Sequence, residues 1–351
     1  MKSPLIDTTI SKNRDSNMEL LRIISMILVL VTHACYASLG PPTYSDISTS
    51  FCSSLMRAFS ESFSDVCVNV FVLISGWFGI RSRLSRFIGF LFQIYFINIV
   101  LYGIMRIIGL LDPVDLNGWI NLFIGGYGIY WFVKAYIILY IFAPVLNAFV
   151  DYCGRRQLEY FLISFYIFQT IHGFFMNTGG FFNGYSAWSF MGLYLLARYM
   201  RLYPNKLTQL NKSVDFLLYG SISILTAICS LSMTYWWGKN GTFLIQNSSP
   251  FIIVSTIYFF LFFTKISLRS SFIYWVSSSS FAAYLVHCSP FVFHPYYVDI
   301  IKSWYITVPG TIFLLNIVGM ISGFFVFSIL LDKVRIAVWS LLCGVCREKF
   351  K

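Results

Sequence analysis

The sequence predicts an all-α, polytopic membrane protein, a single integral-membrane domain over residues 1–351 with about ten transmembrane helices and both termini cytoplasmic. Three observations carry this expectation. Hydrophobic residues make up 58% of the chain and charged residues 11%, against about 25% charged in ordinary soluble domains. Mean hydropathy is +0.72, and the apolar residues gather in runs near the ~20 residues that cross a bilayer. Nineteen of the 25 basic residues fall in alternate linkers (1–17, 81–86, 151–156, 198–212, 265–271 and 333–351). The other linkers hold only Arg57, Lys239 and Lys302. Cytoplasmic loops are the ones enriched in Lys and Arg. The net charge of +11 is therefore read as topology, with membrane lipids around it, and gives no argument for nucleic acid.

Taken in order, the first span covers 18–39. It is full-length rather than the 7–15 apolar residues of a signal peptide, and is expected to be retained. Polar residues 1–17 precede it as a cytoplasmic segment. The next spans are expected at 63–80, 87–110, 130–150, 157–176 and 186–203, and the last four at 213–235, 250–266, 272–293 and 309–332. A Ser/Thr-rich outer loop with Pro41 and Pro42 follows span one, and a turn over 125–128 precedes span four. A short basic tail, 333–351, ends the chain. The eight Cys are scattered. Cys343 and Cys346 form a lone C-x-x-C read as a reduced cytosolic pair, so neither a disulfide framework nor a metal site is expected.

Candidate chemistry lies in the spans. Arg22 and His33 both sit in the first, and eleven positions at about 100° each return to within roughly 20° of the starting direction. The two share a helix face about 16 Å apart. Ionisable residues inside a span mark function by default, because burial is costly unless they face protein or water. With the N-terminus inside, His33 and His287 fall at nearly the same depth in the outer half. Lys134 and His172 are expected in that layer too, with Trp131 nearby and Glu61 and Asp65 at the outer start of span two. Arg81, Arg83 and Arg86 join Arg22 as a basic inner rim, suited to the phosphates of a nucleotide-like donor. An imidazole in the outer half is suited to take a proton from a hydroxyl nucleophile. A competing reading is a polytopic transporter or flippase for a glycan or anionic small molecule. Against it, neither an aligned repeat nor a pair of corresponding broken helices is evident.

Arg22-x10-His33, Phe71-Val-Leu-Ile-Ser-Gly-Trp-Phe-Gly-Ile-Arg81, Trp131-Phe-Val-Lys-Ala-Tyr136 and Ala283-Tyr-Leu-Val-His287 together resemble the membrane-bound acyltransferase-3 family, in family order. The resemblance implies an enzyme of the bacterial cytoplasmic membrane. It would transfer an acyl group, most often acetyl from cytoplasmic acetyl-CoA, to a hydroxyl of a lipid-linked or surface glycan. It implies His33 as catalytic base or acyl relay with Arg22 as partner, Arg81 as a donor contact, and Trp131, Tyr284 and His287 as pocket residues. Beside these, Arg83 and Arg86 are expected at the donor, and Ser75, Lys134 and Asp65 in the pocket. Acyl-CoA enters as a substrate, and no bound cofactor is implied. The chain departs from the family pattern at Val133-Lys134, where many members are acidic, and at Trp77, usually Phe.

Overall fold

The structure is a computed structural model describing residues 16–113, 115, 117–120, 130–238 and 241–349, the last six by their helix alone. The polar segment 1–15, the turn at 125–128 and Lys239 lie outside the described residues. Among the described residues there is no strand. Helix α1 (Asn17–Thr32) continues as a π-helical turn, His33–Ala37. Then come α2 (Tyr44–Thr49), α3 (Phe51–Ser64), α4 (Val66–Phe78), α5 (Leu84–Ile107), α6 (Trp131–Tyr152) and α7 (Arg155–Phe168). The second half of the chain holds α8 (Ala187–Leu202), α9 (Lys212–Trp237), α10 (Pro250–Thr264), α11 (Ser271–Ser277), α12 (Phe281–His287), α13 (Asp299–Thr307) and α14 (Gly310–Lys349).

Among the described residues, seven segments are long and apolar enough to cross a bilayer: Asn17–Ala37, Phe51–Phe78, Leu84–Ile107, Trp131–Tyr152, Lys212–Trp237, Gly241–Thr264 and Gly310–Cys343. The remaining three expected spans take other forms. Residues 157–176 form α7 and a second π turn, Gln169–Phe175, and 186–203 form the 16-residue α8, about 24 Å long. The expected ninth helix is broken: α11 ends at Ser277, two backbone turns follow, and α12 starts at Phe281. Four consecutive serines, 277–280, explain the break, since serine side chains compete for helical backbone groups; Ser280 Oγ donates to the Ser277 carbonyl at 2.9 Å. The expected basic tail continues the last helix, since α14 runs 40 residues to Lys349, about 60 Å.

Helix α1 is the hub, packing against α3, α4, α10, α11, α12 and α14. Apolar side chains such as Ile138, Ile141, Val145, Leu315 and Val318 point outward, which suits lipid. Between lipid-embedded helices the hydrophobic effect supplies little, so close packing at small residues must do more. Gly76 shows this: a Cβ there would stand 2.4 Å from the Tyr194 carbonyl oxygen and 2.9 Å from Ala197 Cβ, so α4 and α8 meet backbone to backbone. Several buried polar groups are paired across helices. Asp332 on α14 accepts from Gln93 on α5 at 2.8 Å and from Arg335 at 2.9 Å, and Asp215 is bonded to Lys265.

The antiparallel pairing of α1 and α4 sets the axis of the site. His33 ends α1 beside the start of α4 at Asp65 and Val68, whereas Arg81 follows α4 at the end where α1 begins. The linker 79–83 is held by α6 and α8. Ile80 N–H donates to the Tyr194 hydroxyl at 2.9 Å, Asn147 donates to the Ile80 carbonyl at 2.9 Å, and Arg83 N–H donates to the Tyr140 hydroxyl at 2.8 Å. Gly79 opens it with φ +73, a left-handed helix terminus that favours glycine.

Candidate functional site

The site is built where α1 stops being regular. The π turn at His33–Ala37 inserts a residue into the helical ladder, a local widening frequent at functional sites. Thr32 Oγ1 anchors the turn, lying within hydrogen-bond distance of the Leu28 carbonyl at 3.0 Å and of Ser64 Oγ at 2.8 Å. From the other side Tyr297 donates to the Leu30 carbonyl at 2.6 Å. The His33 ring is thereby held 5.0 Å from the His287 ring and edge-on to Phe293 at 5.4 Å.

A chain of hydrogen bonds then sets the protonation of each ring. His287 Nδ1 lies 2.5 Å from the Ala283 carbonyl oxygen. A carbonyl only accepts, so this nitrogen carries the proton, and Nε2 of a neutral His287 is an acceptor. His33 Nδ1 is 2.8 Å from that Nε2 and must donate to it. The remaining nitrogen of a neutral His33, Nε2, therefore keeps a free lone pair. This is the wiring a general base needs. Cys288 Sγ flanks the pair, 3.3 Å from His287 Nε2 and 3.5 Å from His33 Nδ1.

Donor atoms of His33, His287 and Cys288 all lie within 4.8 Å of one another, a donor set zinc accepts. Two nitrogens bound at ~2.0–2.1 Å to a tetrahedral ion would stand about 3.3 Å apart. The observed 2.8 Å is instead the length of a direct hydrogen bond.

His33 lines two cavities. The first, of about 30 Å³, is apolar and bounded by Met26, Val29, Val68, Phe71, Trp131, Phe132, Phe281 and Tyr284. The second, of about 220 Å³, has more polar walls and shares Val29, His33, Val68 and Trp131 with the first. Its walls include Tyr36, Glu61, Asp65, Trp131, Tyr185, Gln246 and Asn247. Trp131 and Tyr185 meet edge to face at 4.6 Å. His33, Trp131 and Tyr284 are thus brought together, with His287 bonded behind them and Asp65 across the larger cavity.

Other expected members stand apart. Arg22 shares the α1 stripe with Met26, Val29 and His33, but Nη1 bonds both carboxylate oxygens of Glu19 at 2.7 Å, one turn back, rather than reaching His33. Glu19 also accepts from Ser277 at 2.7 Å. Ser75 lies deeper, 3.2 Å from the Tyr136 hydroxyl, and lines neither cavity. Arg81, Arg83 and Arg86 are exposed at the far end, and neither cavity reaches them. Lys134 is exposed although Phe132, Val133 and Ala135 are buried: helical rotation turns it away from the two cavities. His172 pairs with Thr178 at 3.2 Å and packs on Phe168 at 4.3 Å, outside the site.

Cys288, Tyr185, Gln246 and Asn247 went unnoticed in the sequence. Residues 246–249 precede Pro250, the first residue of α10, and read as an ordinary polar loop. The structure instead folds them into the bundle, with Asn247, Ser248 and Ser249 buried. The only local signal was a polar run abutting a span.

A family profile described as an acyltransferase domain matches residues 15–333. No curated protein and no solved structure matches the chain.

Proposed function

The chain belongs to the acyltransferase-3 family and is a membrane acyltransferase; from that premise we propose that it moves an acetyl group from cytoplasmic acetyl-CoA to a hydroxyl of a lipid-linked or surface glycan at the bacterial cytoplasmic membrane. The observation that carries this reading is the His287-oriented His33 imidazole, which lines both an apolar cavity and a more polar one. The polar cavity receives the acceptor. His33 Nε2 takes the hydroxyl proton as the oxygen attacks the thioester carbonyl. The C–S bond breaks, and the imidazolium returns the proton to the departing thiolate. Both ring bonds of the relay persist through the step, so the imidazole need not reorient between taking and giving the proton.

The small size of the apolar cavity supports acetyl over longer chains. About 30 Å³ is room for two or three waters, each needing ~10–15 Å³. The donor's phosphates are assigned to Arg81, Arg83 and Arg86, whose guanidiniums suit oxyanions. On this reading the cytoplasm lies at the arginine end, with ten passes and both termini inside, as the basic linkers favour. Neither cavity reaches the arginines, so the pantetheine arm must part the contacts of Phe71, Phe132 and Phe281 to deliver the thioester.

The test is His33→Ala in cells that make the acceptor glycan. The variant is expected in the membrane at wild-type level but without the acetyl-sized mass increment on the glycan. Retained acetylation would refute the assignment.

A further inference from the structure

The polar cavity holds an unusual concentration of unused hydrogen-bonding capacity. Asp65 Oδ2, Gln246 Oε1, and both Nδ2 and Oδ1 of Asn247 are buried atoms with no hydrogen-bond partner, and all three residues line this one space. Asp65 is 6% and Asn247 2% exposed. Buried polar atoms are paired in the great majority of cases, and each exception asks for an explanation. Here the backbone around Asn247 is fixed: Asn69 Nδ2 donates to the Asn247 carbonyl at 3.1 Å, Ser248 N–H to the Asn183 carbonyl at 3.1 Å, and Ser248 Oγ to the Gly173 carbonyl at 3.1 Å. A Cβ on Gly184 would stand 2.5 Å from Ser248 N, so the loop is packed tightly from behind. A pinned main chain with an unpartnered amide facing a cavity is a site waiting for a polar ligand.

We infer that Asp65, Gln246 and Asn247, walled by Trp131 and Tyr185, form a subsite for one uncharged pyranose ring that presents its hydroxyl to His33. The inference rests on the acyl-transfer reading and adds the identity of the acceptor unit. Four features select this ligand. The orphaned atoms offer acceptors at Asp65 and Gln246 and both roles at Asn247, matching adjacent hydroxyls, each of which donates and accepts. Aromatic side chains supply apolar faces for the C–H surface of a ring. The volume of about 220 Å³ lies below the ~300–1,000 Å³ of pockets that enclose drug-sized ligands, room for a single ring. Lastly, none of the described residues lining the cavity is Lys or Arg, whereas Glu61 and Asp65 both are acidic. A uronate carboxylate would find no cation to receive it.

The experiment is ligand-observed NMR titration of purified full-length protein in detergent. The probes are the methyl pyranosides of glucose, galactose and mannose, with methyl glucuronide alongside. At least one neutral glycoside is expected to bind, and the glucuronide at least tenfold more weakly. Asp65→Asn, Gln246→Leu and Asn247→Ala are each expected to weaken binding about tenfold to a hundredfold, the worth of a hydrogen bond left unmade in a buried site. Unchanged melting temperature and unchanged acetyl-CoA affinity check that each variant is folded. Absence of binding across the neutral panel, equal binding of the glucuronide, or insensitivity to all three substitutions would overturn the subsite. His33→Ala is expected to keep glycoside affinity while losing thioester cleavage. Loss of glycoside binding with thioester cleavage intact would thus remove the subsite and leave the acyl-transfer reading standing.

Discussion

His33 owes its readiness to a residue 254 positions away in the chain. Without His287 its ring would be free to rotate and to exchange tautomers. Removing such an orienting partner typically costs 10–100-fold. His287→Ala is therefore expected to lower kcat about 10–100-fold, with KM for acetyl-CoA little changed, as read from initial rates at varied donor concentration. Arg81→Ala belongs to the other end. Its guanidinium is exposed, so its effect should fall on donor KM and shrink as salt rises, because exposed charges are screened beyond about 10 Å at 0.1 M. A KM ratio independent of salt would count against a phosphate contact. At this scale the sequence was legible in part. Depth in two spans sufficed to place His33 and His287 in one layer. It did not foresee that Glu19, three residues from Arg22, would take that guanidinium. Nor did it place Lys134, since depth along a helix says nothing of rotation about its axis.

Among elements, the contact of α4 with α8 depends on a missing side chain. Gly76→Val would push branched carbon into the Tyr194 carbonyl, a backbone atom that cannot swing aside. Overpacking of this kind costs about 1–3 kcal/mol or more, so a lower melting temperature in detergent is expected, with Gly103→Val, where a Cβ meets nothing within 4 Å, as the neutral control. The short α2 is held by a capping box between Thr43 and Asp46. The Thr43 backbone N–H holds the Asp46 carboxyl below its ordinary value, and Arg57 adds to this. A depressed folded value means the contribution is present above the unfolded value and lost as pH falls through the folded one. Protection factors of the α2 amides, corrected for intrinsic exchange, should accordingly fall below about pH 4, modestly, since Asp46 is 40% exposed. Long apolar helices were legible because twenty apolar residues have few other uses. The broken α11–α12 pair and the buried 246–249 segment were not. A serine run and a polar stretch read alike whether they lie in solvent or fold back into a bundle.

For the whole molecule, alternate basic linkers predict both ends on one side. A membrane-impermeant thiol reagent applied to intact cells should spare Cys343 but label Cys52, which is exposed near the His33 end; the reverse pattern would invert the orientation. Composition made the class plain, and four ordered motifs made the family plain, since both survive ignorance of rotation and of breaks. The acceptor's chemistry was not legible, because its walls come from α3, α4, α6 and two loops that only folding brings together. One consequence of the bond between His287 and the Ala283 carbonyl reaches across the bilayer. A peptide oxygen cannot store a proton, so on the reading proposed above what His33 collects departs with the thiol. Each such turnover trades a neutral acyl unit outward for a hydrogen inward and displaces no net charge across the bilayer.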